Sequence, residues 1–210
     1  MLLPFYLFTF LLLLASCSES DDTTEEYPDW QRTNVNYWNN LYSETQQRIA
    51  NGDTTWKIFK SYSLEDSLPS APTDYIIVNV LQEGTGSGSP LYTDSVRIRD
   101  VGRLLPSTSY PSGYIIDTTN PDSVAEESQG VRDAVLNSYT NGFATALQHM
   151  RIGDTWEVYI PWTLAYGADG SGSIPGYSVL RFTITLVAYS RTGSKLPDFK
   201  AKKHGGWVTE

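Results

Sequence analysis

Covalent chemistry has few residues to work with in this chain of 210, which contains two histidines, His149 and His204, and one cysteine, Cys17. A hydrolase or transferase needs an activated nucleophile or a general base, and neither histidine stands in a motif that pairs it with Ser or Cys. Asp169-Gly170-Ser171-Gly172-Ser173 offers oxygen donors but lacks the spaced carboxylates and closing Glu of a calcium loop. No metal is expected there, and no motif asks for a cofactor. Gly84–Pro90, GTGSGSP, is followed neither by the Gly-Lys-Ser/Thr ending of a P-loop nor by the helix of a dinucleotide fingerprint, so it reads as a turn. Binding is better supported. Phe143, Tyr166, Ile174 and Phe182 fall on a helix, a turn, a loop and a strand of one region, which is how an apolar pocket with a few polar handles is built. Core packing explains the same four residues about as well.

The length leaves room for one ordinary domain and an extension. Aromatic residues make up 13% of the chain, with 6 Trp and 14 Tyr, which favours a packed body over a disordered one. A net charge of -9 argues against nucleic acid as a partner, since a phosphate backbone calls for a basic stripe. Lys200, Lys202, Lys203 and His204 form the one basic cluster, which reads as a solvated tail.

At the N-terminus an apolar run without charge, Leu2 to Ala15, is too short for a spanning helix of about 20 residues and suits the core of a signal peptide. It ends in Leu14-Ala15-Ser16-Cys17, which resembles the lipobox of bacterial lipoproteins. The resemblance implies cleavage before Cys17 and a lipid on its thiol. With no second thiol in the chain, no intrachain disulfide competes for it. The following SESDDTTEEYPDW is acidic and aperiodic and reads as a solvated tether.

The elements that would position the pocket can be read from pattern. Asp29 to Ala50 predicts a helix, with Pro28-Asp29 as start and Gly52 as stop; Trp30, Tyr37, Leu41 and Arg48 form its expected stripe, widened by Trp38, Tyr42 and Ile49. Strands are predicted around Trp56–Lys60, over Asp74–Gln82, Ser95–Leu105 and Tyr114–Thr119, then over Thr155–Pro161 and Val179–Ala188. Asn120 to Gly130 is polar and placed on the surface. Phe143, Ala146, Leu147 and Met150 recur at i, i+3, i+4 and i+7 in a short amphipathic helix. Strands around one inserted helix, without βαβ repeats, predict an α+β domain with a mostly antiparallel sheet.

One stretch carries a family resemblance. Met150, Gly153, Ala165-Tyr166-Gly167, Ile174-Pro175 and the alternating Leu180, Phe182, Ile184 and Leu186 resemble, in register, the C-terminal half of FKBP-type peptidyl-prolyl isomerases, especially lipoprotein members with an N-terminal helical extension. The resemblance implies an antiparallel half-barrel sheet wrapped around one short helix, with a proline pocket between them. It assigns Tyr166, Asp117 and Phe182 to catalysis, Tyr166 as donor to the substrate carbonyl and Asp117 as a polar group at the pocket edge. It places Phe143 as the pocket floor, Ile174 as a wall, and Thr140 as a backbone donor beside Tyr139. Asp100 stands where the family prefers Tyr, and Ile116 where it prefers Phe. A carboxylate so placed needs a partner, for which Arg99 or Arg103 is expected.

The expected division is therefore a signal peptide (1–16), an acidic tether (17–28), a helical extension (29–74), an FKBP-like domain (75–190) and a tail (191–210). The implied function is isomerisation of proline-containing polypeptides, assisting folding of exported proteins at a bacterial envelope. There the chain would be lipid-anchored, at the outer membrane and either periplasmic or surface-exposed. The alternative is a degenerate FKBP-like module that binds peptide or protein without catalysis, and a weaker third is a structural protein that docks through the Trp30/Trp38 helix.

Overall fold

Both faces of the central sheet are covered, and strand β2 (Tyr75–Gln82) shows why its sequence is a continuous apolar run: Ile76, Ile77 and Val78 are all fully buried. In a sheet with one wet face every second residue would be exposed. The structure is a computed structural model and describes residues 26–65, 67, 70–119 and 130–194. The expected signal peptide and Cys17 lie outside the described residues, as do most of the expected tether, residues 120–129 and the basic cluster near the end.

Helix α1 spans Trp30–Ala50 and opens after Asp29, whose φ of 50° turns the chain sharply into the first turn without a side-chain cap. Of the expected stripe, Trp30 and Trp38 are buried and Tyr37, Leu41 and Tyr42 are half-buried against the core, while Arg48 and Ile49 are exposed; the buried line also takes in Asn34 and Thr45. Two of the four buried residues are polar, so hydrophobicity could not reveal the whole line. Because Trp30 and Trp38 are spent inside the protein, they present no docking surface. No helix among the described residues is long and apolar enough to cross a membrane.

The other elements are β1 (Trp56–Lys60), β3 (Ser95–Arg103), β4 (Ile115–Thr118), β5 (Arg132–Val135), α2 (Asn141–His149), β6 (Thr155–Ile160) and β7 (Leu180–Ser190). They build one antiparallel sheet in the order β1-β2-β6-β7-β3-β4, with β5 also paired to β3. β4 lies along the C-terminal half of β3 (Val101↔Thr118) and β5 along its N-terminal half (Val96↔Ala134). The sheet is open, with β1 at one edge and the β4/β5 pair at the other, and this antiparallel sheet with its inserted helix is the α+β architecture predicted. β5 escaped prediction because four residues, Arg-Asp-Ala-Val, give too short a run for periodicity to register.

The two helices sit on opposite faces. Trp156 and Tyr159, three apart in β6, must point opposite ways in a strand of period two. Trp156 stacks on Phe59, itself stacked on His149 of α2 at 3.9 Å, whereas Tyr159 meets Tyr37 of α1 at 6.5 Å. Gly142 lets α2 approach, since a Cβ there would collide with Ile160 of β6. The Gly84 turn spends its donors internally, with Gly84 N–H donating to Asp154 Oδ1 at 2.6 Å and Gly86 N–H to the Ile152 carbonyl at 3.1 Å.

Candidate active site

Between α2, the sheet and the loop after β6 lies a cavity of about 360 Å³ lined by Phe143, Tyr166, Leu180, Phe182, Tyr139, Thr140, Ser138, Ala134, Asp117 and Arg132. Its floor follows from local structure. Helix α2 turns Phe143 inward on its buried face, and Phe182 stands opposite on β7, the two rings meeting edge to face at 5.0 Å. Phe182 pairs across the sheet with Gly102 of β3, where a Cβ would overlap the Phe182 ring. A glycine is thus what lets the aromatic wall stand. Tyr139 stacks on the other side of Phe143 at 4.5 Å.

The polar handles stand at the lip. Tyr166, 41% exposed, has a hydroxyl with no hydrogen-bond partner among the described residues, so it is free to donate to a bound group. Thr140 precedes α2 in extended conformation (φ -61°, ψ 155°), and its carbonyl takes the first helical bond from Ala144 N–H at 2.9 Å. An N-cap residue's own N–H makes no bond inside the helix.

The opposite lip is ionic. Arg132 of β5 donates from both terminal nitrogens to Asp117 of β4, each at 2.7 Å, and one of those nitrogens lies 3.4 Å from Asp100 Oδ1. One guanidinium therefore serves two carboxylates. The bidentate bond to Asp117 raises the pKa of Arg132 further above its ordinary range. Asp100 sits behind this pair with its side chain fully buried, and neither carboxylate oxygen is hydrogen-bonded. Burial pushes its pKa up to about 6; Arg132 pulls against that shift and Asp117 adds to it. Burial likewise pushes the unpartnered Tyr139 hydroxyl up to about 12.

The partner of Asp100 is accordingly Arg132, which corrects the expectation of Arg99 or Arg103. Arg103 donates to the Gly113 carbonyl at 3.0 Å, and Arg99 keeps a buried Nε without a partner. Neighbours in a strand point to alternate faces, so residues adjacent to Asp100 in sequence were poor candidates to reach its side chain. β5 brings Arg132 there from thirty-odd positions away, and no spacing rule could have found it.

A pH dependence follows, and its sign is fixed by the raised pKa. The folded state holds the Asp100 proton at pH values where an unfolded Asp, near 3.9, has lost it, so this group's contribution to stability rises as pH falls from about 7 to about 4. Asp100→Asn should remove that slope and raise the melting temperature at neutral pH. Parallel melting curves of both proteins from pH 7 to pH 4 check it, and an unchanged slope would refute it.

Of the residues marked in the sequence, Asp117, Tyr139, Thr140, Phe143, Tyr166 and Phe182 meet around the cavity. Asp100 stands behind it, and Ile116 and Ile174 are half-buried against the core rather than among its lining residues. Arg132, Ala134, Ser138 and Leu180 join the lining without having been marked. Only Leu180 left a signal, as the start of the alternating face that includes Phe182. His149 is held between Phe59 and Tyr62, at 3.9 and 4.8 Å, where burial lowers its pKa, as a packing group away from the cavity.

Comparison with known proteins agrees with this geometry. The sequence profile of the family described as FKBP-type peptidyl-prolyl cis-trans isomerase matches residues 93–187. The FKBP-type 22 kDa peptidyl-prolyl cis-trans isomerase of Escherichia coli is 35% identical over 109 residues, 51% of this chain and 47% of that protein. The outer membrane protein MIP of Legionella longbeachae is 28% identical over 149 residues, 70% of this chain and 57% of that protein. The chain spans about half the length of the curated relatives it matches. Among solved structures, a peptidyl-prolyl cis-trans isomerase from Pseudomonas syringae superimposes with a TM-score of 0.53 at 26% identity, covering 77% of this chain and 96% of that one. The open antiparallel sheet, the inserted helix and the aromatic cavity, taken with these matches, show that residues 93–187 are similar in sequence and in fold to FKBP-type peptidyl-prolyl cis-trans isomerases.

Proposed function

We propose that the chain is a peptidyl-prolyl cis-trans isomerase acting on proline-containing polypeptides at a bacterial envelope. The observation that carries this reading is the cavity floored by Phe143 and Phe182 with the free Tyr166 hydroxyl at its lip. Rotation about X-Pro faces a barrier of about 18–20 kcal/mol because the amide loses resonance as it twists. The twisted amide is less polar than the planar one, so an apolar enclosure favours it and lowers the barrier without a covalent intermediate. In this cavity Phe143, Phe182 and Leu180 hold the proline ring, while the Tyr166 hydroxyl and the Thr140 N–H donate to substrate carbonyls. Asp117, fixed by Arg132, edges the pocket. Asp100 and Ile116 stand where the family prefers aromatic rings, the first buried behind the Asp117–Arg132 pair and the second against the core, so that the ion pair and Ala134 form this side of the cavity; the binding-only alternative gains no support from the matches to isomerases.

The location rests on Cys17 in its lipobox-like setting and on a relative named as an outer membrane protein. Residues 1–16 act as a lipoprotein signal and the Cys17 thiol carries the lipid. Residues 17–28 form the tether, 29–74 the helical extension, 75–190 the catalytic domain and 191–210 the tail. Metabolic labelling with a fatty-acid analogue should mark the protein and fail on Cys17→Ser; labelling of both would sink the anchor.

A protease-coupled isomerisation assay on a panel of X-Pro peptides tests the activity. Acceleration over the spontaneous rate is expected, and Tyr166→Phe should lower kcat/KM about 3- to 10-fold, the worth of one hydrogen bond. Spontaneous rates across the whole panel would overturn the proposal, and an unchanged Tyr166→Phe would remove that residue from its role.

A further inference from the structure

We propose that Trp30 and Asn34 of α1, which precede residues 93–187, are positioning residues for the proline pocket, acting through the segment that leads into β7. The inference rests on the pocket assigned above. The Trp30 indole N–H donates to Ser178 Oγ at 2.8 Å, and the Ser178 hydroxyl donates onward to the Pro175 carbonyl at 2.6 Å. One turn along the helix, Asn34 Oδ1 accepts the Val179 N–H at 2.7 Å, while its Nδ2 donates back to the Trp30 carbonyl at 2.8 Å. Asn34, Ser178 and Val179 are all buried, Asn34 and Val179 completely. A polar group this deep is kept only where it is paired, and these are partners 145 and 148 positions away in sequence.

The clamped segment touches the pocket on both sides. Leu180, the residue after Val179, lines the cavity, and Phe182 follows on the same face of β7. Upstream, Tyr177 holds an unfavourable left-handed conformation for a non-glycine residue (φ 61°) and donates its N–H to the Gly167 carbonyl at 3.0 Å, beside Tyr166. Strained backbone persists only where its surroundings over-determine it. The constraints at hand are the Gly167 bond and the Trp162 ring, 4.9 Å from that of Tyr177, before Ser178, and the α1 bonds at Ser178 and Val179. The rest of the 165–176 loop bonds to itself or to Trp162, as in Gly170 N–H to Tyr166 and the Ser171–Ile174 bridge. The α1 clamp thus anchors the strand that carries two pocket walls, and through Tyr177 it fixes the turn that aims the Tyr166 hydroxyl.

Trp30→Phe tests this most cleanly, because it removes the indole donor and keeps a ring against Tyr27, 4.6 Å away. The matched control is Trp38→Phe, on the same helix, whose indole donates at 3.1 Å to the Pro72 carbonyl rather than to the pocket segment. Kinetics are read on the full chain at a temperature where every variant is fully folded, so that global stability drops out. Trp30→Phe and Asn34→Ala should lower kcat/KM about 3- to 30-fold, the range for mutations along a coupled network, with Trp38→Phe unchanged. Amide exchange at 166–168 and 176–180 should accelerate in the first two variants only. Equal kinetic effects of Trp30→Phe and Trp38→Phe, or none from either, would overturn the inference. If the unmodified chain shows no isomerase activity, the proposed function fails but the exchange pattern still decides: acceleration confined to Trp30→Phe and Asn34→Ala supports the clamp, and its absence refutes it.

Discussion

Replacing Arg132 by leucine should cost the fold about 2–3 kcal/mol at neutral pH, the lower end for breaking an ion pair because a third of the Arg132 side chain is exposed and water replaces part of its role. The loss comes from what remains. Asp117, itself 40% exposed, can rehydrate, but Asp100 has no solvent access and no hydrogen bond, and it loses the one cation that opposes its burial. Its pKa should therefore rise above the present value of about 6. The double variant Asp100→Asn/Arg132→Leu separates the two contributions: with the buried charge gone, most of the lost stability should return. Chemical denaturation of the parent, both single variants and the double at pH 7 checks it. A double variant whose stability change equals the sum of the two single changes would show that Asp100 and Arg132 do not act on each other.

Phe182→Ala should strike stability and binding together. The ring is 6% exposed and packs edge to face on Phe143, and truncations of this kind cost about 3–5 kcal/mol. The upper part of that range is expected here, because Gly102, the cross-strand neighbour beneath the ring, has no side chain to relax into the space. Where the variant remains folded, kcat/KM should fall by at least about tenfold, since proline loses an apolar wall worth roughly 1.5–3 kcal/mol of burial. Phe182→Leu retains apolar volume and should recover most of the stability while recovering less of the activity, since a ring face shapes the pocket and a branched chain does not. Denaturation midpoints with assay rates on the folded fraction distinguish these effects. Unaltered kcat/KM in Phe182→Ala would remove β7 from the pocket.

What could be read in the sequence follows from where local physics speaks. The α2 stripe of Phe143, Ala146, Leu147 and Met150 and the alternation from Leu180 to Leu186 mark buried residues, and the structure buries them all, although α2 is buried over the whole run Gly142 to Leu147 and not on the stripe alone. In α1 the same local rule found Trp30 and Trp38 but missed Asn34 and Thr45, which lie buried on the line with them. Asn34 is at home there because Val179 and the Trp30 carbonyl pair its amide, a fact about residues far along the chain.

The pocket divides along the same boundary. Sequence by itself determined the α+β class and the inserted helix, and it marked Phe143, Tyr166 and Phe182 as residues of one region, while whether they line a pocket or fill a core was left to the structure, which sets all three around one cavity. Only the tertiary structure decided the ionic lip and the clamp behind the pocket. Arg132 reaches Asp117 and Asp100 because β4 and β5 share one edge of β3, and Trp30 reaches Ser178 because α1 lies across the covered face of the sheet. Hydrogen bonds and ion pairs are set by ångström-scale placement between elements. A linear pattern records which face of an element is buried, but not which distant group will be waiting there.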